Sequence, residues 1–132
     1  MAHQLTWADV WLLQSIHLAP SRSLEDIVAV ADGINHSILT HAEFNNGMYN
    51  LVQAGLLSGD DQGISLTDVA RDLLRKTSGK SYLKQAEFIC SKLQIPDWSG
   101  DYDPNRLTAP QLFVSMDRFN NAVQSYTRKH GL

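Results

Sequence analysis

Apolar residues recur at helical spacing in three segments of the first half of the chain. Each segment follows a Thr or Ser that has an acidic residue three positions later: Thr6 and Asp9, Ser23 and Asp26, Thr40 and Glu43. This is the spacing of a capping box, in which the two side chains bond to backbone N–H groups at a helix start. The pattern therefore predicts three helices that begin just after residues 6, 23 and 40.

Residues 56–66 are predicted to form a β-hairpin. The apolar stretches 56–58 and 64–66 would be its strands, and the turn-forming run Gly59-Asp60-Asp61-Gln62-Gly63 would connect them. Gly55 fits the position just after the third helix, where a positive φ costs glycine little. Thr67 is placed to cap a fourth helix directly after the hairpin.

The order helix, helix, helix, hairpin, helix resembles the winged helix-turn-helix fold. The tripeptides Gly55-Leu56-Leu57 and Ser65-Leu66-Thr67 are similar to the residues that flank the wing in bacterial regulators of the MarR, PadR and ArsR kind. The resemblance covers about residues 5–77. It implies an α+β fold that is mainly α, with a two-stranded wing and a third helix that enters DNA in those regulators.

Residues 78–132 are predicted to be a helical extension that packs on this domain as part of a single compact unit. Helices are expected over 81–93 and 109–129, with Thr108 as the cap of the last one and Pro110 in its first turn. The last helix carries more apolar side chains than a small core needs, so a homodimer through the first and last helices is predicted. The residues expected at that interface are Leu112, Met116, Phe119, Val123 and Tyr126.

Charge is divided unevenly along the chain. Residues 1–70 contain one basic residue, Arg22, and eight acidic residues, whereas residues 71–132 contain ten basic and six acidic residues. The two parts therefore carry net charges of −7 and +4. Binding to DNA depends largely on Lys and Arg at phosphates, and the third helix and wing have neither.

Two functions remain open at this point. In one, the domain is a non-catalytic module for protein interaction or self-association, which the charge distribution favours slightly. In the other, it is a DNA-binding transcriptional regulator. Polar residues of the third helix would then read base edges: His41, Asn45, Asn46, Tyr49, Asn50 and Gln53. The wing would present Asp60, Asp61 and Gln62, and the candidate phosphate contacts are Arg71, Arg75, Lys76 and Lys80.

Signals for catalysis are weak. Asp32, His36, His41 and Glu43 lie near one connection and are of metal-ligating types, but Glu43 already has a capping role and no metal is expected. Cys90 lies among apolar residues, which favours a buried structural thiol. We expect no enzyme activity, no cofactor, no small-molecule substrate and no membrane association. A single cysteine and no secretory signal favour a cytoplasmic protein.

Overall fold

The computed structural model describes residues 5–60, 63–95 and 103–129. Within these ranges the chain is an α+β protein, mainly α, with six helices and one two-stranded antiparallel sheet. The helices and strands, in chain order, are α1 Trp7–Leu18, α2 Leu24–Asn35, α3 His41–Gln53, β1 Leu57–Asp60, β2 Gly63–Leu66, α4 Asp68–Arg75, α5 Tyr82–Lys92 and α6 Met116–Lys129.

The predicted helix starts are confirmed by their caps. Thr6 with Asp9, and Thr40 with Glu43, form complete capping boxes at α1 and α3. At α2 only half of the box forms: the Ser23 side chain accepts from the N–H of Asp26, whose carboxylate binds Ser21 Oγ instead. These bonds satisfy N–H groups that the first turn of a helix leaves without partners.

Helix α1 lies at the centre of the molecule. Every residue from Ala8 to Ile16 is buried, because α2, α3 and α5 all pack against it. The polar residues among them bond within the protein: Ser15 Oγ donates to the carbonyl of Trp11, and Gln14 Nε2 donates to that of Tyr82. A helix enclosed on all sides is expected to be apolar around its whole circumference.

The connection from α3 to the hairpin is a Schellman motif. Gly55 adopts a φ of 78°, and the N–H of Leu56 donates to the carbonyl of Leu51 at 2.9 Å. The hairpin is confirmed, but its paired region is longer than predicted, since Gly59 pairs with Ile64 and Asp60 with Gly63. The predicted turn residues Asp61 and Gln62 lie outside the described residues.

The predicted helix over 109–129 is wrong in its first seven residues. Residues 103–115, which we call the strap, run irregularly along α3, and α6 begins only at Met116. Ser115 Oγ accepts from the N–H of Arg118 and so occupies the capping place predicted for Thr108. Pro110 consequently lies in the strap and not in a helical turn.

One cluster of buried apolar side chains joins the two predicted parts of the chain. It includes residues of α1, α2, α3 and the hairpin together with Ile89 of α5, Phe113 of the strap and Phe119 of α6. Helix α6 packs on α2 and α3, and α5 packs on α1 and α4. In the described part of the chain, no helix has both the length and the apolar composition needed to cross a membrane.

Candidate functional site

The strap covers the polar side of α3, which is where base-reading residues were predicted. The opposite side of α3 lies so close to α1 that a Cβ placed on Gly47 would stand 2.6 Å from Leu12 Cδ2. Seven of the thirteen residues of α3 are buried as a result. This helix is therefore an interior element held between α1 and the strap.

Asn45 makes the central contact between α3 and the strap. Its Oδ1 accepts from the backbone N–H groups of Phe113 and Val114 at 2.6 and 3.1 Å. Its Nδ2 donates to the carbonyl of His41 at 3.0 Å and lies 3.5 Å from that of Val114. The side chain is fully buried, so these bonds replace all of its contacts with water.

Asn46, the next residue of α3, binds an earlier part of the strap in the same manner. Its Oδ1 accepts from the N–H groups of Thr108 and Ala109 at 2.7 and 2.9 Å, and its Nδ2 donates to the carbonyl of Arg106 at 2.8 Å. All three partners are backbone atoms. Asn46 therefore fixes the path of the strap without reading its side chains.

Two further residues of this region bind strap carbonyls. Thr40 Oγ1 donates to the carbonyl of Pro104, and Nε2 of His41 lies 2.9 Å from that of Val114. The His41 ring also packs edge-on against Phe119 of α6, with 5.8 Å between the ring centroids. The strap and the start of α6 are thus bound to α3 by four neighbouring polar side chains.

The other three predicted recognition residues lie away from the strap backbone. Asn50 Nδ2 donates to Oδ2 of Asp9 at 3.2 Å, Tyr49 is half-buried against the core, and Gln53 is exposed at the end of α3. Asp9 is almost fully buried, and burial raises the pKa of its carboxyl despite bonds from Thr6 and Asn50. Of the six residues predicted to read bases, only Gln53 has an exposed side chain.

The predicted wing residues are only partly described. Asp60 ends β1, and Asp61 and Gln62 lie outside the described residues. The cations after the hairpin have acidic neighbours: Arg71 pairs with Asp68, while Arg75 and Lys76 both pair with Asp72. Lys80 Nζ lies 6.0 Å from the centre of the Phe88 ring. Part of the positive charge expected to face phosphates is therefore balanced by adjacent carboxylates.

The apolar residues predicted for a dimer interface are largely used inside the chain. Phe119 and Tyr126 are buried, and Val123 packs against the core; only Leu112 and Met116 are exposed, at 50% and 53%. Leu112 lies in the strap and not on the last helix, because that helix starts later than predicted. Helix α1 has large exposed apolar side chains only at its ends, Trp7 and Leu18.

The residues of metal-ligating types near the connection between α2 and α3 do not point toward a common site. Asp32 Oδ2 accepts from the Tyr126 hydroxyl at 2.6 Å, Glu43 accepts from the N–H of Thr40, and His41 faces the strap. No group of three such residues within the described ranges is arranged to hold a metal ion. Cys90 is half-buried, and burial raises the pKa of its thiol.

Sequence reasoning missed the strap itself. A usable signal was present, since Ser115 followed by Asp117 is an alternative helix start to Thr108. No protein-family model, curated protein or solved structure matches the chain.

Proposed function

We propose that this chain is a winged-helix-type module that acts by binding protein, without catalysis and without reading DNA through α3. The observation that carries the proposal is the occupation of α3 by the strap. Asn45 and Asn46 use their amide groups on backbone atoms of the same chain, and His41 is engaged with Val114. These side chains are not available to base edges.

The width of the DNA major groove also argues against recognition through α3. The major groove is about 12 Å wide and a helix with its side chains is about 10–12 Å across, so the groove accommodates one uncovered helix. Helix α3 carries the strap on one side and α1 on the other. A helix covered on both sides is too thick to enter.

Electrostatics adds an independent argument. Between Arg22 and Arg71 the chain has no Lys or Arg, so α2, α3 and the hairpin offer no cation for phosphates. The basic residues that follow belong to a surface where Asp68 and Asp72 lie beside them. The winged-helix part of the proposal rests on the order of α1 to α4 and on the hairpin between α3 and α4.

Titration with fluorescently labelled genomic DNA fragments at low salt tests the proposal. We expect weak binding without sequence preference, and the same affinity for an Asn46→Ala variant. A surface variant, Arg75→Ala with Lys76→Ala, serves as the control for non-specific contacts. Sequence-selective binding that weakens steeply with salt would refute the proposal, because that dependence reports released phosphate counterions.

The homodimer remains a prediction, and most of the side chains first expected at its interface are occupied within the chain. Leu112 and Met116 are the exposed apolar residues that remain from the predicted interface. Light scattering at micromolar concentration, with Met116→Ser as the matched variant, tests whether they take part. A wild-type chain that is monomeric there would count against a dimer.

A further inference from the structure

A cleft of about 280 Å³ opens between the start of α2, the buried side of α3, β2 and the end of the strap. Its apolar lining includes Phe44, Met48, Ile64, Phe113 and Val114. Two arginines also line it, Arg22 before α2 and Arg118 in the first turn of α6. The cleft therefore combines apolar walls with two positive charges from distant parts of the sequence.

Arg22 is unusual among the cations of this protein. It is the single basic residue in residues 1–70, a part of the chain with a net charge of −7. One nitrogen, Nη1, donates to the carbonyl of Ile16 at 2.8 Å. No carboxylate of the described residues forms an ion pair with Arg22, whereas Arg71 and Arg75 each have one within their own helix. A guanidinium carries five N–H donors, so most of this group's donors remain for a ligand.

The cleft is open to solvent, and its volume can be compared with that of a small ligand. A volume of about 280 Å³ equals the share of roughly nine water molecules at ~30 Å³ each. The side chain, Cα and carboxylate of a chain-terminal leucine comprise about eight non-hydrogen atoms, which is comparable with this space.

We propose that this cleft binds the C-terminal carboxylate of a protein partner together with its last, apolar side chain. Arginine is the cation best suited to a carboxylate, because its planar group donates two parallel hydrogen bonds. The apolar side chain would lie against Leu24 and Ile64, the partly exposed apolar residues of the lining, which a phosphate or a sugar would leave in contact with water. This inference rests on the proposed function and adds the chemistry of the partner to it.

The test uses the pentapeptide acetyl-Gly-Ser-Gly-Ser-Leu with a free carboxylate, its C-terminal amide, and hexanoate. Each is titrated into the full chain to roughly 10 mM, the range that a ligand of this size requires. Methyl NMR signals of Met48, Ile64 and Val114 report occupation of the cleft. We expect these signals to shift with the free acid and to shift about tenfold less readily with the amide.

Three arginine variants locate the site. Arg22→Gln and Arg118→Gln are each expected to weaken binding of the free acid about tenfold or more, because a charge-assisted bond is lost. Arg128→Gln lies on the same helix as Arg118 but in its last turn, and should leave binding unchanged. If Arg22→Gln does not fold, Arg22→Lys retains the charge but not the paired donors, and weaker binding is still expected.

Several outcomes would overturn the inference. They are equal binding of acid and amide, no shift of the three methyl signals up to the highest concentration, or unchanged binding in both glutamine variants. Hexanoate binding as tightly as the peptide would assign the cleft to free carboxylic acids instead of a protein end. None of these results bears on DNA binding, so failure here is distinguishable from failure of the proposed function.

Discussion

Replacing Asn45 by alanine should release the strap from α3. The change removes the acceptor that serves the backbone N–H groups of Phe113 and Val114, both of which lie on buried residues. A buried donor left without a partner costs about 1–3 kcal/mol, and two are affected. Allowing for water that enters where the amide was, we expect a loss of roughly 2–4 kcal/mol in the free energy of unfolding.

Urea denaturation followed by circular dichroism measures this loss. For a slope near 1.5 kcal/mol per molar urea, a loss of about 3 kcal/mol lowers the midpoint by roughly 2 M. Asn46→Ala is the matched control on the next residue of α3. Its bonds lie closer to solvent, so water can replace them and a loss below about 1 kcal/mol is expected.

A second control, Gln53→Ala, tests the end of the same helix. Its side chain is exposed, so the free energy of unfolding should change by less than about 0.5 kcal/mol. The reasoning would be refuted if Asn45→Ala were no more destabilising than these two controls. That result would mean that the strap amides are solvated and that α3 is accessible.

Further measurements test other parts of the structure. Gly47→Ala should lower the free energy of unfolding by about 1–2 kcal/mol in thermal unfolding, because the new Cβ meets Leu12. Gly33→Ala, with open space around it, should raise the free energy of unfolding by about 0.5–1 kcal/mol. The same sign for both would contradict the close approach of α1 and α3. Gln94 follows α5 with a φ of 56°, so Gln94→Gly should raise the unfolding free energy by up to about 1 kcal/mol, and a decrease would be inconsistent with that conformation. Because the pKa of Asp9 is raised in the folded state, the folded protein holds this proton more tightly than the unfolded chain does. Between pH 3.8, the unperturbed value, and the higher folded pKa, Asp9 therefore lowers the free energy of unfolding as pH rises. That component should be absent from Asp9→Asn when unfolding midpoints of the two proteins are compared across pH, and parallel profiles would exclude it.

The local features of the fold could be predicted because their causes are local. A threonine and an acidic residue three positions apart determine the starts of α1 and α3, since both partners of each bond lie within one turn. Gly55 marks the end of α3 for the same reason, since only a residue tolerant of positive φ continues the chain there. The hairpin follows from apolar stretches on either side of a turn-forming run.

The strap could not be predicted, because its causes lie far apart in the sequence. Thr108 with Pro110 two residues later is typical of a helix start, and so is Ser115 with Asp117, so the local sequence does not choose between them. In a helix beginning at Ala109, the N–H of Phe113 would bond to the carbonyl of Ala109. That N–H bonds to Asn45 instead, 68 residues away, which excludes a helix that runs from Ala109 through Phe113; α6 begins at Met116.

The dimer interface was predicted from an apolar stripe whose partner was unknown. Phe119 packs against Phe44 of α3 with 5.8 Å between ring centroids, and the Tyr126 hydroxyl bonds to Asp32 of α2. A stripe on a terminal helix indicates that it packs on something, but the sequence does not distinguish a neighbouring helix from a second copy.

The polar face of α3 shows which sequence signal was informative and which was not. Thr40, His41, Asn45 and Asn46 are neutral donors and acceptors, and backbone N–H and C=O groups are neutral dipoles, so each can satisfy the other even when buried. Phosphates are anions and require cations to bind tightly. A helix rich in asparagine but without Lys or Arg is thus matched to the chemistry of a polypeptide backbone, and the missing charge was a better guide to its partner than the polarity it shares with DNA-reading helices.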